Sequence, residues 1–129
     1  MFSHVVLGSN DIERSKKFYD AIFKAISIPP SEINAKGRLV YAHHEQKLMI
    51  GKPINGQPAT PANGGTVAFG VGSAELVEAW HRAGVANGGV TAEDPPGVRK
   101  GSAGDLYLAY LRDPDGNKLC AMYRLPVAG

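Results

Sequence analysis

One cysteine among 129 residues excludes an intrachain disulfide framework and points to a reducing, cytoplasmic setting. No apolar run approaches the ~20 residues of a membrane span, so no membrane partner is expected. The chain runs directly into an apolar, β-branched stretch, without the basic and apolar regions of a secretion signal. Charge of one sign is also scarce. The net charge is +2, and its one dense basic cluster, Arg14, Lys16 and Lys17, reads as a solvated helix face rather than a nucleic-acid site. With 43% hydrophobic residues, the chain can build the core of one globular domain.

What the chain does contain is a repeat. When residue 4 is aligned with residue 66, Val5 meets Val67, Leu7 meets Phe69, Gly8 meets Gly70, Asp11 meets Ser73, Glu13 meets Glu75 and Phe18 meets Trp80. Each copy is a short apolar strand, a glycine, a capping residue and an amphipathic helix. A second match, at a larger offset, pairs Lys47-Leu48 with Lys118-Leu119. A duplication of this size predicts two units folded against each other, with any site built from corresponding positions of each.

Residues 2–8 predict a strand, and Ser9-Asn10-Asp11 supplies caps for a helix whose apolar face is Ile12, Phe18, Tyr19, Ile22, Phe23 and Ile26. Pro29-Pro30 is expected to end it. A short strand over Glu32–Ala35 precedes a hairpin of 38–44 and 47–52, turning at Glu45-Gln46. Residues 53–65, rich in proline and glycine, form the linker. A strand over 66–71 follows, then a helix capped by Ser73 that carries Leu76, Val77, Trp80 and Ala83 and is stopped by Gly84. A short strand near 89–93 leads into a long loop through Asp94-Pro95-Pro96-Gly97, a candidate lid over 94–104. The last hairpin joins 106–112 to 118–124 through Asp113-Pro114-Asp115-Gly116, where Pro fixes φ and Gly accepts positive φ. The order is βαβββ, linker, βαβββ, with repeats at about 1–52 and 66–126 of one domain.

Strand alternation sorts the side chains by face. A four-residue turn at 113–116 sets Arg112 opposite Asn117, Ala109 opposite Cys120 and Tyr107 opposite Met122. Tyr107, Ala109, Leu111, Lys118, Cys120, Met122 and Arg124 then share a cleft face. Leu108, Tyr110, Leu119, Ala121 and Tyr123 pack on the helices. The same parity puts His4, Val6, Thr66 and Ala68 in the cleft.

The opening SHVVLGSNDIERSKKFYDAIF, the midpoint GGTVAFGV and the ending YLAYLRDPDGNKLCAMY resemble the vicinal oxygen chelate superfamily, the glyoxalase, bleomycin-resistance and extradiol-dioxygenase group. The resemblance spans essentially the whole chain. It implies an α+β fold in which tandem βαβββ repeats form a curved mixed sheet with a central cleft, a small-molecule ligand, and a homodimer. It also implies a divalent metal held by one residue from the first and one from the last strand of each half, commonly His, Gln or Glu. Those positions here are His4, Thr66, Met49 (or Ile50, if the match slips by one) and Cys120. Only His4 is a typical ligand, so no cofactor is predicted.

His4 is the leading candidate for a functional residue, because a cleft histidine can act as acid, base or hydrogen-bond donor; the plainer reading is a hydrogen-bonded relic of a metal site. Free cysteines such as Cys120 are more often small buried hydrophobes than nucleophiles. His4, Met49 and Cys120 would together form a soft set suited to Cu(I), though an accidental set is the plainer reading. Tyr107 offers the cleft an aromatic wall and a phenol, and Met122 lines the same face. His44 is expected on the cleft rim and His81 in solvent, while Arg99 and Lys100 could meet an anion from the long loop. The reading is a protein that binds or converts a small metabolite between the repeats without the usual metal. The alternatives are a metal-dependent glyoxalase-like lyase or dioxygenase with non-standard ligands, a metal-free drug- or metabolite-sequestering protein, and a metal-independent enzyme using His4, Tyr107 or Cys120.

Overall fold

The computed structural model describes residues 1–127. Its elements run β1 (His4–Gly8), α1 (Ile12–Lys24), β2 (Leu39–His43), β3 (Gln46–Gly51), β4 (Val67–Gly70), α2 (Ala74–Ala86), β5 (Val90–Arg99), β6 (Leu106–Arg112) and β7 (Lys118–Arg124). They form two sheets of order β1-β3-β2 and β4-β7-β6-β5. In each sheet a strand preceding a helix pairs in parallel with the last strand of its half, β1 with β3 and β4 with β7. This is the α+β architecture expected, with mixed sheets.

Both helices start where their caps sit. The Asp11 carboxylate accepts from Arg14 N and the Ser73 hydroxyl from Leu76 N, each satisfying an otherwise orphan N–H. Phe18, Tyr19, Ile22 and Phe23 of α1 and Val77 and Trp80 of α2 are buried with Leu39, Tyr41, Leu48 and Ile50 of the first sheet. Ala109, Leu111, Leu119 and Ala121 of the second sheet join them in one core cluster. Each sheet thus has a helix-facing side and a helix-distal side.

Several boundaries differ from expectation. Glu32–Ala35 forms no strand, because the Asn34 carboxamide accepts from Lys36 N and Arg38 N, closing a turn with Gly37 at φ 75°. The Ser31 hydroxyl takes up Val40 N as well. Helix α1 ends at Lys24, before Pro29-Pro30, where Ile28 N turns back to Phe23 O. Gly84 does not stop α2. It lies inside the helix, where a Cβ would overlap Leu111 Cδ1 and press on Ile22 and Phe18 at 3.3 Å, so glycine lets α1, α2 and β6 approach closely.

The stretch read as a loop through Pro95-Pro96 belongs to β5. The strand pairs with β6 through Ala92, bulges over Glu93–Pro96, and resumes at Gly97 opposite Leu108. Prolines cannot donate to a ladder, and a bulge on an edge strand accommodates them. The bulge is pinned by Arg99, which donates to the carbonyls of Asp94 and Pro95 at 3.0 Å each. Lys100 is engaged as well, with Asp105 at 2.9 Å.

The turn after β6 welds the halves together. The Asp113 carboxylate accepts from Asp115 N, Asn117 N, Asn117 Nδ2 and, at 2.5 Å, the Tyr19 hydroxyl of α1. Asn117 Nδ2 also reaches Gly8 O at 3.1 Å. The Asp115 carboxylate receives Asn10 N, the Arg14 guanidinium and the Ser15 hydroxyl at the start of α1, where negative charge suits the helix dipole. The Asp-Pro-Asp-Gly-Asn motif is thus a structural clamp.

Candidate functional site

The clamp decides which side chains share a face. Asp113 N donates to Asn117 O, so the turn spans five residues and Arg112 pairs with Lys118. Tyr110 then lies opposite Cys120, Leu108 opposite Met122 and Tyr107 opposite Tyr123. A one-residue change moves every side chain of one strand to the other face. Tyr107, Ala109 and Leu111 therefore face the helices. Tyr107 is not a cleft residue; its hydroxyl donates to the Glu78 carboxylate on α2. Leu108 and Tyr110 take the helix-distal positions beside Cys120 and Met122.

The two parallel ladders run in equivalent registers. His4 pairs with Lys47 and Val6 with Met49, while Ala68 pairs with Cys120 and Thr66 stands one residue before its ladder. The four positions implied by the family resemblance are thus related by sheet register, with Met49 rather than Ile50 on the distal face. Their chemistry is uneven. Val6 is 52% exposed, Ala68 is exposed, Met49 is half-buried and Cys120 is buried. Among the described residues no three His, Cys, Asp or Glu side chains come together as a metal-binding group. One imidazole beside a thioether, a hydroxyl and a thiol is a poor donor set for a hard divalent ion.

A cavity of about 290 Å³ is lined by β1 and β4, the β2–β3 hairpin and the end of α1. Ser3, His4, Tyr41, His43, Gln46 and Lys47 are its polar side chains, and Phe2, Phe23 and Phe69 belong to its apolar wall. It has no Asp or Glu in its lining. The Ser3 hydroxyl sits 2.7 Å from His4 Nδ1, leaving Nε2 as the ring's uncommitted nitrogen. Of the side chains expected in the cleft, His4 and Ala68 line this cavity; Met49, Thr66, Cys120, Met122 and Tyr107 lie outside it.

The distal face of the second sheet forms a separate cluster. Lys118 Nζ lies 5.0 Å above the Tyr110 ring and pairs with Glu93 of the β5 bulge. Burial pushes the Cys120 thiol up, and the Glu93 charge adds to this, against a Tyr110 hydrogen bond and the cations Lys118 and Arg99. An elevated thiol is a weak nucleophile at neutral pH. Glu93 reaches this face from the β5 bulge, where strand alternation gives no signal in the sequence.

The remaining histidines are also relocated. The β2–β3 turn is His44-Glu45, closed by His43 opposite Gln46, so His44 occupies the turn at φ 56° rather than the rim beside Met49. His81 is half-buried and its Nε2 is 3.0 Å from the Thr91 hydroxyl. Burial pushes its pKa down, with Glu78 opposing.

The structure is that of a paired-module α+β protein: two strand–helix–strand units share one helical core and leave their sheets' opposite faces for other uses. A family model, Glyoxalase/Bleomycin resistance protein/Dioxygenase superfamily, matches residues 1–121, and the chain belongs to this superfamily. The crystal structure of a glyoxalase/bleomycin resistance protein from Albidiferax ferrireducens T118 is 55% identical, covers 96% of this chain and 99% of that one, and has a TM-score of 0.92. A glyoxalase-related enzyme from Fulvimarina pelagi is 21% identical over 100% of this chain and 93% of that one, with a TM-score of 0.72. A family enzyme from Burkholderia phytofirmans PsJN is 16% identical over 95% and 98%, with a TM-score of 0.72. At these lower identities the likeness is one of fold. No curated protein matches the chain. Among the described residues no helix is long and apolar enough to cross a membrane.

Proposed function

We propose that this protein binds a small neutral or anionic metabolite in the cavity beside His4, without the divalent metal that its family resemblance implies. The observation that carries this is the donor set: of the four register-related positions only His4 is an ordinary ligand, and among the described residues no metal-binding group of three assembles around it. The lining supports the ligand class. Aromatic and aliphatic walls with imidazole, ammonium and amide groups suit a small polar molecule, and the absence of a lining carboxylate disfavours a cationic one. His4 is the orienting group. The Ser3 contact at its Nδ1 supports a second role, moving a proton at Nε2, which would make the protein a metal-independent enzyme. We place it in the cytoplasm as a homodimer, the buried free thiol suiting a reducing compartment.

The test has two parts. Protein purified without chelators is incubated with Ni, Zn, Mn and Fe(II), desalted and assayed by plasma mass spectrometry; the expected metal content is far below one per chain. Near one metal per chain, lost in His4→Ala, would overturn the metal-free reading. A thermal-shift screen of neutral and anionic metabolites is then run on the wild type and on Ala68→Phe, which fills the cavity. A ligand at about 100 times its Kd stabilises by ~2.7 kcal/mol. That shift is expected in the wild type and not in the variant.

A further inference from the structure

Gly8 and Gly51 stand opposite each other at the ends of β1 and β3. Both occupy the helix-distal parity of Val6 and Met49, so the sheet has a notch there. Chain and side chain fill its edges closely. A Cβ on Gly8 would lie 2.8 Å from Ala59 Cβ, and one on Gly51 would lie 2.7 Å from Arg38 Cγ. The linker is fixed over this notch. Asn10 donates to Ala59 O at 3.0 Å and accepts from Ala59 N at 2.7 Å, and a Cβ on Gly116 would press on Pro61 at 3.1 Å.

Beneath the linker is a cavity of about 440 Å³. Its charged lining is Arg38 and Lys52, and no Asp or Glu lines it. Among the described residues neither cation makes an ion pair, whereas Arg14, Lys16, Lys100 and Lys118 each have one. The rest of the lining is mixed: Val6, Leu7, Pro53 and Pro58 supply apolar surface, and Asn55 and Thr60 add polar atoms. The Arg38 stem lies across Gly51, and its guanidinium is a planar fork suited to a carboxylate or phosphate, to which the ammonium of Lys52 adds charge of the same sign.

We propose that this cavity is a second binding site, taking a small organic anion whose carboxylate or phosphate meets Arg38 and Lys52 and whose compact apolar body lies against Val6 and the linker prolines. It is distinct from the cavity beside His4, with which it shares no lining residue. It is independent of the metal-free reading.

The test is titration with benzoate, phenyl phosphate and benzamide, followed by backbone amide NMR. At least one of the two acids is expected to shift the amides of Gly8, Gly51 and Lys52, and the tighter of them identifies the headgroup. Benzamide should bind about tenfold more weakly, since it lacks the charge-assisted bonds. Lys52→Met, at an exposed position, and Arg38→Met, which keeps the stem over Gly51, should each weaken the acid about fivefold or more. Arg38→Lys should retain part of the affinity. Ala68→Phe, filling the other cavity, should leave it unchanged. The proposal is overturned if acid and amide bind alike, if both methionine variants bind as the wild type does, or if the shifts fall on His4 and Ala68. It is equally overturned if no probe shifts the notch amides up to its solubility limit.

Discussion

The two sheets begin from the same pattern and finish their helix-distal faces differently. In the first sheet, the glycine pair Gly8 and Gly51 opens a notch, the linker closes over it, and Arg38 and Lys52 have no carboxylate partner among the described residues. In the second, Gly70 faces open space and its partner is Met122. There the β5 bulge covers the face and brings Glu93 to Lys118. Lys47 and Lys118 hold equivalent register positions, yet of the two only Lys118 makes an ion pair among the described residues. Duplication copies the strand and helix pattern, while the segments between elements decide what each face can bind.

The halves also differ in their hairpin turns, and this difference should give the largest effect. The β2–β3 turn is exposed, whereas Asp113 in the β6–β7 turn is 3% exposed and holds Tyr19 of the other half. Asp113→Ala removes the acceptor of the Tyr19 hydroxyl, Asp115 N and Asn117 N and one of the two partners of the Asn117 side-chain amide, with an expected loss of about 3–5 kcal/mol in urea denaturation. His44→Gly, which relieves a left-handed residue in the exposed turn, should gain up to about 1 kcal/mol. Equal effects at both turns would remove the distinction.

The glycines give a second contrast. Gly8→Val drives a branched side chain into Ala59, with an expected cost of about 1–3 kcal/mol. At the equivalent Gly70, with nothing within 4 Å of its missing Cβ, Gly70→Val should be neutral or stabilising by up to about 1 kcal/mol, through strand propensity. Thermal denaturation of the pair measures how far the two faces have diverged. The clamp also predicts a pH dependence. Burial, then the Asp113 charge and hydrogen bond, hold Tyr19 well above the ordinary tyrosine range. Its contribution to stability is therefore complete below about pH 10 and is lost as pH rises from there through the raised folded value. Tyr19→Phe should flatten that alkaline decline in a pH series of denaturation midpoints.

Much of the scaffold was legible because it is written locally. Asp11 and Ser73 cap where they stand, the apolar faces of both helices are those buried, and the Lys-Leu matches fall in equivalent registers. Non-local details were hidden. Asn117 joins the turn because its backbone and side chain answer Asp113, and that one residue moved Tyr107 out of the cleft and Tyr110 into it. Pro95-Pro96 read as the end of a strand, since no sequence pattern announces that pairing resumes at Gly97. His4 could be picked by position, but the cavity around it, Glu93 at Lys118 and the linker over Gly8 arise from chain paths that alternation cannot trace.

The smallest effect concerns charge alone. Glu93 is 46% exposed and Lys118 22%, so their pair should contribute less than about 0.5 kcal/mol, and Glu93→Gln should barely move the melting temperature. Its effect on Cys120 should be clearer. Burial raises the thiol first, and the Glu93 charge raises it further, so removing that charge lowers the pKa and enlarges the thiolate fraction at a given pH. Alkylation of Cys120 by iodoacetamide at mildly alkaline pH should then quicken by about two- to fivefold, because the thiolate is the reacting form. Lys118→Met should slow it, and added salt should shrink both differences. Lys47→Met, the register counterpart on the first sheet, should leave the rate unchanged. A rate that responds to Lys47 as strongly as to Lys118 would mean that the two faces act as one electrostatic surface, and the contrast between them would fail.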